Sequence, residues 1–272
     1  MQDLIDRALA EDLRGGDLTA SAVVAPGARA RGAIWQKEAG VLAGLEVGAA
    51  VFARVDPSVR FSPAAPEGRW SEPAPVVELE GLATSILAAE RTALNFLGRL
   101  SGTATLTARY VAAVKGTGAT ILDTRKTTPG MRSLEKAAVV TGGGSSHRAG
   151  LFDAILVKEN HVRVTGSVGE AARRAVASAA QGVAVEVEVE TLGELDEVLD
   201  AGVPRVLLDN MSLDDLRAAV ELARGRAQLE ASGGITLDTV REVAETGVDF
   251  ISVGALTHSA PALDVSLLLE KR

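Results

Sequence analysis

Arg125 and Lys126 stand together in Thr124-Arg125-Lys126-Thr127-Thr128-Pro129-Gly130, directly after a short apolar run. Two permanent cations there suit carboxylate and phosphate oxygens, Arg through its bidentate fork and Lys as a point charge. A helix-flanking salt bridge is the competing explanation. Thr141 to Arg148 reads as a glycine run ending in His147 and Arg148. Glycines let backbone N–H groups approach an anion, although a surface linker has the same composition. His147 beside a cation is expected to stay mostly neutral and to donate a hydrogen bond. Lys158 follows in Lys158-Glu159-Asn160-His161.

Carboxylates of opposite purpose come next. Glu188 and Asp209 end neighbouring β-rich runs, and paired carboxylates suit Mg²⁺, which keeps waters and binds through substrate phosphates. Glu186, Glu188 and Glu190 alternate, which places all three on one strand face. Three inward glutamates are costly, so some must lie at the mouth or pair with cations. An interior ion-pair network is the alternative for any one of them. Ser232-Gly233-Gly234 and Ser252-Val253-Gly254-Ala255-Leu256 each follow a strand, where glycines and helix N-termini bind phosphate. No P-loop lysine, HExxH or GxSxG pattern competes, and the three histidines are too scattered for a metal cluster.

These groups need a scaffold. Candidate strands are 120–123, 154–158, 183–190, 205–209, 228–232 and 249–253. Helical patterns at 168–180, 192–201, 213–224 and 237–246 alternate with the later strands. Such alternation implies parallel strands joined by right-handed crossovers. About six units approach the eight of a (β/α)-barrel, whose chemistry sits at the carboxyl ends of its strands. An open doubly wound sheet is the structural rival. Before this region, residues 1 to about 80 read as short strands with a few helices. Leu82, Ile86, Ala89, Ala93, Phe96 and Leu100 then mark a long helix with Arg91, Asn95 and Gly98 on another face. Gly102 is expected to interrupt that helix before a second run to about Lys115.

Composition narrows the classes. The 272 residues are 47% hydrophobic but only 3% aromatic, so the core must be built from Ala, Val and Leu. Cysteine is absent, which excludes disulfides, thiolate zinc and a cysteine nucleophile. Acids at the N-terminus do not fit a signal peptide, and no uncharged apolar run reaches the ~18–20 residues of a spanning helix. A soluble, cytoplasmic protein without nucleic-acid or membrane partners is expected. Net charge is −8, yet residues 121 to 161 hold six bases against four acids. A basic island in an acidic chain suits a local anionic ligand.

The motifs together resemble quinolinate phosphoribosyltransferase. The resemblance rests on Asp123 to Gly130, Gly142 to Gly144 with His147-Arg148, and Lys158 to His161. Further matches are Glu90-Arg91-Thr92, Arg99-Leu100-Ser101-Gly102, Leu208-Asp209-Asn210-Met211 and Gly247 to Ser259. It covers essentially the whole chain in order. It implies an α/β fold with an N-terminal α/β sandwich at 1–103 and an incomplete TIM-like barrel at 104–259. Residues from about 260 to 272 would return to the first domain. It implies transfer of phosphoribose from phosphoribosyl pyrophosphate to quinolinate, giving nicotinate mononucleotide, pyrophosphate and carbon dioxide. The family's dimer borrows an arginine from the neighbouring subunit, which Arg91 matches, and a hexamer is also compatible.

By the same match Arg125, His147, Arg148 and Lys158 surround the quinolinate carboxylates. Lys126 and Lys158 face pyrophosphate, and Glu188 and Asp209 hold Mg²⁺ and the ribose hydroxyls. Ser232, Gly233, Gly234, Gly254, Ala255 and Leu256 cradle the 5-phosphate, with Thr124 and Ser252 among the binding positions. Lys126, Lys158, Glu188 and Asp209 are the expected catalytic set. One departure stands out: Ser145-Ser146 replace the family's usual apolar residue and Asn before His147, and Ala149 replaces a bulkier residue. The acceptor is where that departure bears. Nicotinate as acceptor, or a non-catalytic phosphate-ligand binder, are the rival functions.

Overall fold

The protein is described from a computed structural model that covers residues 1–270. In chain order the elements are α1 (Gln2–Leu13), α2 (Leu18–Val23), β1 (Arg29–Gln36), β2 (Gly40–Val41), α3 (Leu45–Val55), β3 (Arg60–Pro63), β4 (Trp70–Ser71) and β5 (Ala74–Leu82). They continue as α4 (Ala83–Ala113), β6 (Thr120–Leu122), α5 (Arg132–Thr141), β7 (Ala154–Val157), α6 (Glu159–Thr165), α7 (Val168–Ser178), β8 (Ala184–Val189) and α8 (Leu192–Asp200). The last are β9 (Arg205–Asp209), α9 (Leu213–Ala223), β10 (Gln228–Ser232), α10 (Val240–Ala244), β11 (Phe250–Ser252), α11 (Ala255–His258) and β12 (Val265–Leu269).

The chain divides into two compact units. The first comprises residues 1–108, 128–143 and, among the described residues, 259–270. Its sheet runs β12-β1-β5-β3, all antiparallel. Ile34, Val76, Val77 and Leu79 from the sheet bury against Val51 and Phe52 of α3 and against Ile86, Ala89, Ala93 and Leu97 of α4. Small side chains at 89 and 93 let helix and sheet approach closely. The C-terminal strand β12 pairs with β1. Residues 271 and 272 lie outside the described residues. The segment 128–143, including α5, also belongs here, a return that no residue pattern announces.

The second unit, residues 109–127 and 144–258, holds a six-stranded parallel sheet in the order β6-β11-β10-β9-β8-β7. All six expected strands are present. β6 and β7 are not paired with each other, so the sheet is an incomplete barrel rather than a closed one. α7 to α10 follow the strands as crossovers, and Val206, Leu207 and Leu208 are buried in sequence. Burial of consecutive residues is the mark of a strand covered on both faces.

Gly102 does not break the helix. α4 runs unbroken for 31 residues. The glycine serves a close approach instead. A Cβ at 102 would collide with the Pro261 carbonyl oxygen, and one at Gly98 would lie 2.9 Å from the Leu263 carbonyl oxygen. Leu263 N–H donates to the Gly98 carbonyl at 2.9 Å. The two glycines therefore form a groove that seats the C-terminal segment. In an exposed helix, Gly→Ala stabilises by about 1 kcal/mol. At 102 the sign reverses: Gly102→Ala is expected to lose about 2–3 kcal/mol through overpacking. Urea denaturation measures it, and a raised midpoint would contradict the groove.

Candidate active site

A cavity of about 480 Å³ opens at the carboxyl end of the parallel sheet. Parallel strands all end on the same side, so the residue after each strand faces one rim. Thr124, Arg125 and Lys126 follow β6, His147 and Arg148 precede β7, and Lys158 follows it. Glu188 comes from β8, Asp209 from the end of β9, Glu230 and Ser232 from β10 and Ser252 from β11. Ten of the expected site residues line this one space. A larger concavity, about 620 Å³, lies over the sheet of the first unit. There Arg31 and Arg60 both pair with Glu80.

The cationic side is crowded. Burial, and then the positive charge of Arg125, hold the Arg148 guanidinium below its ordinary range. Like charges facing one space favour an anion between them. Lys126 is shaped by its neighbours. Its N–H donates to Thr124 Oγ1 at 3.0 Å, and the Thr257 hydroxyl donates to its carbonyl oxygen at 2.7 Å. A Cβ at Gly254 would sit 3.2 Å from Lys126 Cδ, so the glycine leaves room for the lysine stem. Lys158 pairs with Glu188.

The serines before His147 tie the segment down. Ser145 N–H donates to the Ile121 carbonyl and Asp123 N–H to the Ser145 carbonyl, at 2.9 and 3.2 Å. Ser146 Oγ donates to Asp123 Oδ2 at 3.0 Å. Asp123 is fully buried and also accepts the His147 N–H at 2.9 Å. The stretch is bridged to β6, not a loose linker. Of the glycines before it, Gly142 ends α5, and a Cβ there would strike the Ala104 carbonyl at 2.4 Å.

The three alternating glutamates part company. Glu190 is exposed, Glu188 faces the cavity, and Glu186 is buried. Glu186 meets His147 Nε2 at 2.8 Å and Arg205 Nε at 3.3 Å. For Glu186 the interior ion-pair network is the correct alternative. Burial opposes its ionisation, but the His147 hydrogen bond and Arg205 prevail and hold its carboxyl below the usual value. Glu230, fully buried, pairs with Arg205 and accepts from Ser252 Oγ. Burial first, and Glu186 second, push its carboxyl up to about 7. Glu230 and Arg205 were missed from sequence. The one available signal was a glutamate amid Leu229, Ala231 and other apolar strand residues.

The remaining expected residues lie beside this lining rather than in it. Gly233 and Gly234 take φ values of +100° and +61°. Gly233 also leaves space for the Asn210 side chain, whose Nδ2 donates to Asp209 Oδ2 at 2.7 Å. Gly254 and Ala255 are half-buried, and the Leu256 side chain is fully buried, which leaves its backbone for any ligand contact. Arg91 belongs to the first unit. It is exposed on α4 and borders a small cavity with Glu11, Asp12, Asn95 and Arg99.

Among the described residues, His147, Glu186 and Glu230 are the one group of three whose atoms lie close enough for a metal, within 4.8 Å. Arg205 pairs with both carboxylates and already supplies the cation. Among these residues no helix is long and apolar enough to cross a membrane.

Residues 17–101 match the family model described as quinolinate phosphoribosyl transferase, N-terminal domain, and residues 103–268 match its C-terminal domain. The chain is 44% identical over 273 residues to the nicotinate-nucleotide pyrophosphorylase (carboxylating) of Mycobacterium leprae, covering 98% of this chain and 96% of that one. It is 40% identical to quinolinate phosphoribosyltransferase (decarboxylating) 1 of Nicotiana glauca, covering 99% and 82%. The solved structure of NadC from Streptococcus pyogenes superposes with a TM-score of 0.94 at 41% identity, covering 99% and 97%.

The raised carboxyl of Glu230 makes stability pH-dependent. A folded value above the ordinary 4.5 means that folding favours the protonated form. That contribution is complete below about pH 4.5 and is lost as pH rises through about 7. The groups facing Glu230 are Glu186, Arg205, His147 and Ser252. Glu230→Gln removes the titration, so between pH 4.5 and 8 the wild type should lose up to about 3 kcal/mol relative to the variant. Paired denaturation curves at pH 5 and pH 8 measure this. An unchanged difference would contradict the shift.

Proposed function

Because this chain belongs to the quinolinate phosphoribosyltransferase family, we propose that the cavity of its second unit is where the family reaction takes place. The chain joins the ribosyl-5-phosphate of phosphoribosyl pyrophosphate to quinolinate and releases pyrophosphate and carbon dioxide. The observation that carries the location is the convergence of Arg125, Lys126, Arg148 and Lys158 on one space facing Glu188 and Asp209. Both substrates are polyanions, and few other ligands call for so many cations at one rim.

Arg125, Arg148 and Lys158, with His147 behind them, meet the two quinolinate carboxylates. Bidentate guanidinium contacts fix the ring plane, which aims the pyridine nitrogen at the anomeric carbon. Lys126, with Lys158, neutralises charge on the departing pyrophosphate as the sugar becomes oxocarbenium-like. Glu188 and Asp209 hold the ribose hydroxyls, while Ser232, Gly233 and Gly234 with Gly254, Ala255 and Leu256 hold the 5-phosphate. Thr124 and Ser252 border the same space. Bond formation makes the pyridine nitrogen cationic. That cation accepts the electron pair left as the adjacent carboxylate departs as carbon dioxide, and the ring carbon then takes a proton. The protein's main contribution is holding two polyanions together, worth roughly 7–11 kcal/mol in favourable cases.

The Glu188 and Asp209 carboxylates suit Mg²⁺ by donor type. Two carboxylates are too few for a full shell, so substrate oxygens and water supply the rest. When bound, Mg²⁺ adds positive charge at the leaving pyrophosphate. Arg91 serves the active site of a neighbouring subunit in a homodimer, which gives a role to an arginine exposed beside Asn95 on a mostly buried helix. The cytoplasm, where phosphoribosyl pyrophosphate is available, is the proposed compartment.

Lys126→Ala and Arg91→Ala are each expected to lower kcat/KM about 100-fold or more with the fold intact. Mixing the two variants, unfolding and refolding them together, should restore part of the activity, because one site in a mixed dimer is then whole. A mixture as inactive as its parts would reject the shared site. A fully active Lys126→Ala would reject the role of that lysine.

A further inference from the structure

His147 lies among the acceptor-facing residues, yet both its ring nitrogens are engaged by the protein. Nδ1 accepts the Arg148 main-chain N–H at 2.6 Å, so it carries no proton. The Nε2–H therefore donates to Glu186 Oε2 at 2.8 Å. The main-chain N–H of the same residue donates to Asp123 Oδ1 at 2.9 Å. Residue 147 is clamped from three directions, and two of the clamps are buried carboxylates.

Glu186 has a second neighbour. Arg205 Nε lies 3.3 Å from Glu186 Oε1, an ionic contact without hydrogen-bond geometry, and the other end of the guanidinium pairs with Glu230. The guanidinium is fixed over the Phe250 ring at 4.0 Å. Glu230 is fixed in turn by Ser252 Oγ. A chain of contacts thus crosses β8, β9, β10 and β11 and ends on the imidazole. Burying two glutamates and one arginine costs solvation, and their attraction repays it only with good geometry. A structural ion pair would need no histidine at its end.

We propose that Glu186 and Glu230, bridged by Arg205, are positioning residues that hold His147 and through it set the direction of the Arg148 guanidinium toward the acceptor's carboxylates. The deduction rests on the reading that quinolinate is the acceptor. His147 then acts as a neutral strut, and Arg125, Arg148 and Lys158 carry the charge recognition. Arg148 leaves the strut at the next residue, and its guanidinium is steadied at 3.4 Å by the Ala154 carbonyl. A tilt of the imidazole turns the Arg148 main chain with it, because Nδ1 is bonded to that N–H. The chain meets the phosphoribosyl side of the cavity at Ser252 alone, whose hydroxyl donates to Glu230.

The test separates acceptor from donor. Glu186→Leu removes the acceptor for Nε2–H, whereas Glu186→Gln keeps one in its amide oxygen. KM for quinolinate, KM for phosphoribosyl pyrophosphate and kcat are measured for both, with thermal midpoints. Glu186→Leu should raise the quinolinate KM about ten-fold or more and the donor KM less than about two-fold, and Glu186→Gln should recover most of the loss. An unchanged quinolinate KM overturns the proposal, and so does an equal rise in both KM values, which reports general loosening. If Glu186→Leu does not fold, Glu230→Gln carries the test, because it keeps an acceptor for Ser252 but weakens the hold on Arg205. A rise confined to quinolinate then supports the proposal, and unchanged constants overturn it. Wild-type protein that does not turn over quinolinate would refute the acceptor reading itself. Wild-type turnover with insensitive variants refutes this inference alone.

Discussion

A carboxylate inside a parallel barrel must meet a cation or take up a proton, because burial penalises the charged form by several kcal/mol. The second unit obeys this constraint at two depths. Deep in the sheet, Arg205 lies between Glu186 and Glu230, and Glu230 rises toward neutrality because burial, and then the neighbouring Glu186, outweigh the one guanidinium. At the rim, Lys158 meets Glu188, while burial and the charge of Arg125 hold the Arg148 guanidinium below its ordinary range. The deep layer is settled by the protein itself. The rim keeps cations crowded together, and an anionic ligand relieves that crowding.

Backbone geometry makes the arrangement possible. Parallel pairing places Ser232 level with Asp209 and Ser252 level with Leu122, so strand ends form one ledge. Glycines serve that ledge by making room. Gly233 admits the Asn210 side chain and Gly254 admits the Lys126 stem. In the first unit Gly98 and Gly102 do the same for a crossing segment.

Much of this could be read from residues alone. The six strands were visible because short apolar runs alternate with helical periods, and the rim was visible because polar residues recur where those runs end. What escaped had physical reasons. Gly102 looked like a helix breaker, since its low propensity is local while the Pro261 carbonyl it accommodates is more than 150 residues away in sequence. Glu186 was indistinguishable from Glu188 by alternation, because both share a face and differ only in depth. Arg205 and Glu230 carried no motif. Their partners come from four strands, and only folding brings those side chains within reach. Ser145 and Ser146 departed from the family pattern, yet they bond to β6 and Asp123 and hold His147 in place.

One cavity aligns two polyanions so that making the bond to nitrogen drives the loss of carbon dioxide. Purified protein, Mg²⁺ and quinolinate labelled at the carboxyl beside the ring nitrogen test it directly, with and without phosphoribosyl pyrophosphate. Labelled carbon dioxide should appear only with the donor present, in step with nicotinate mononucleotide and pyrophosphate. Carbon dioxide released without the donor, or turnover with nicotinate in place of quinolinate, would contradict it.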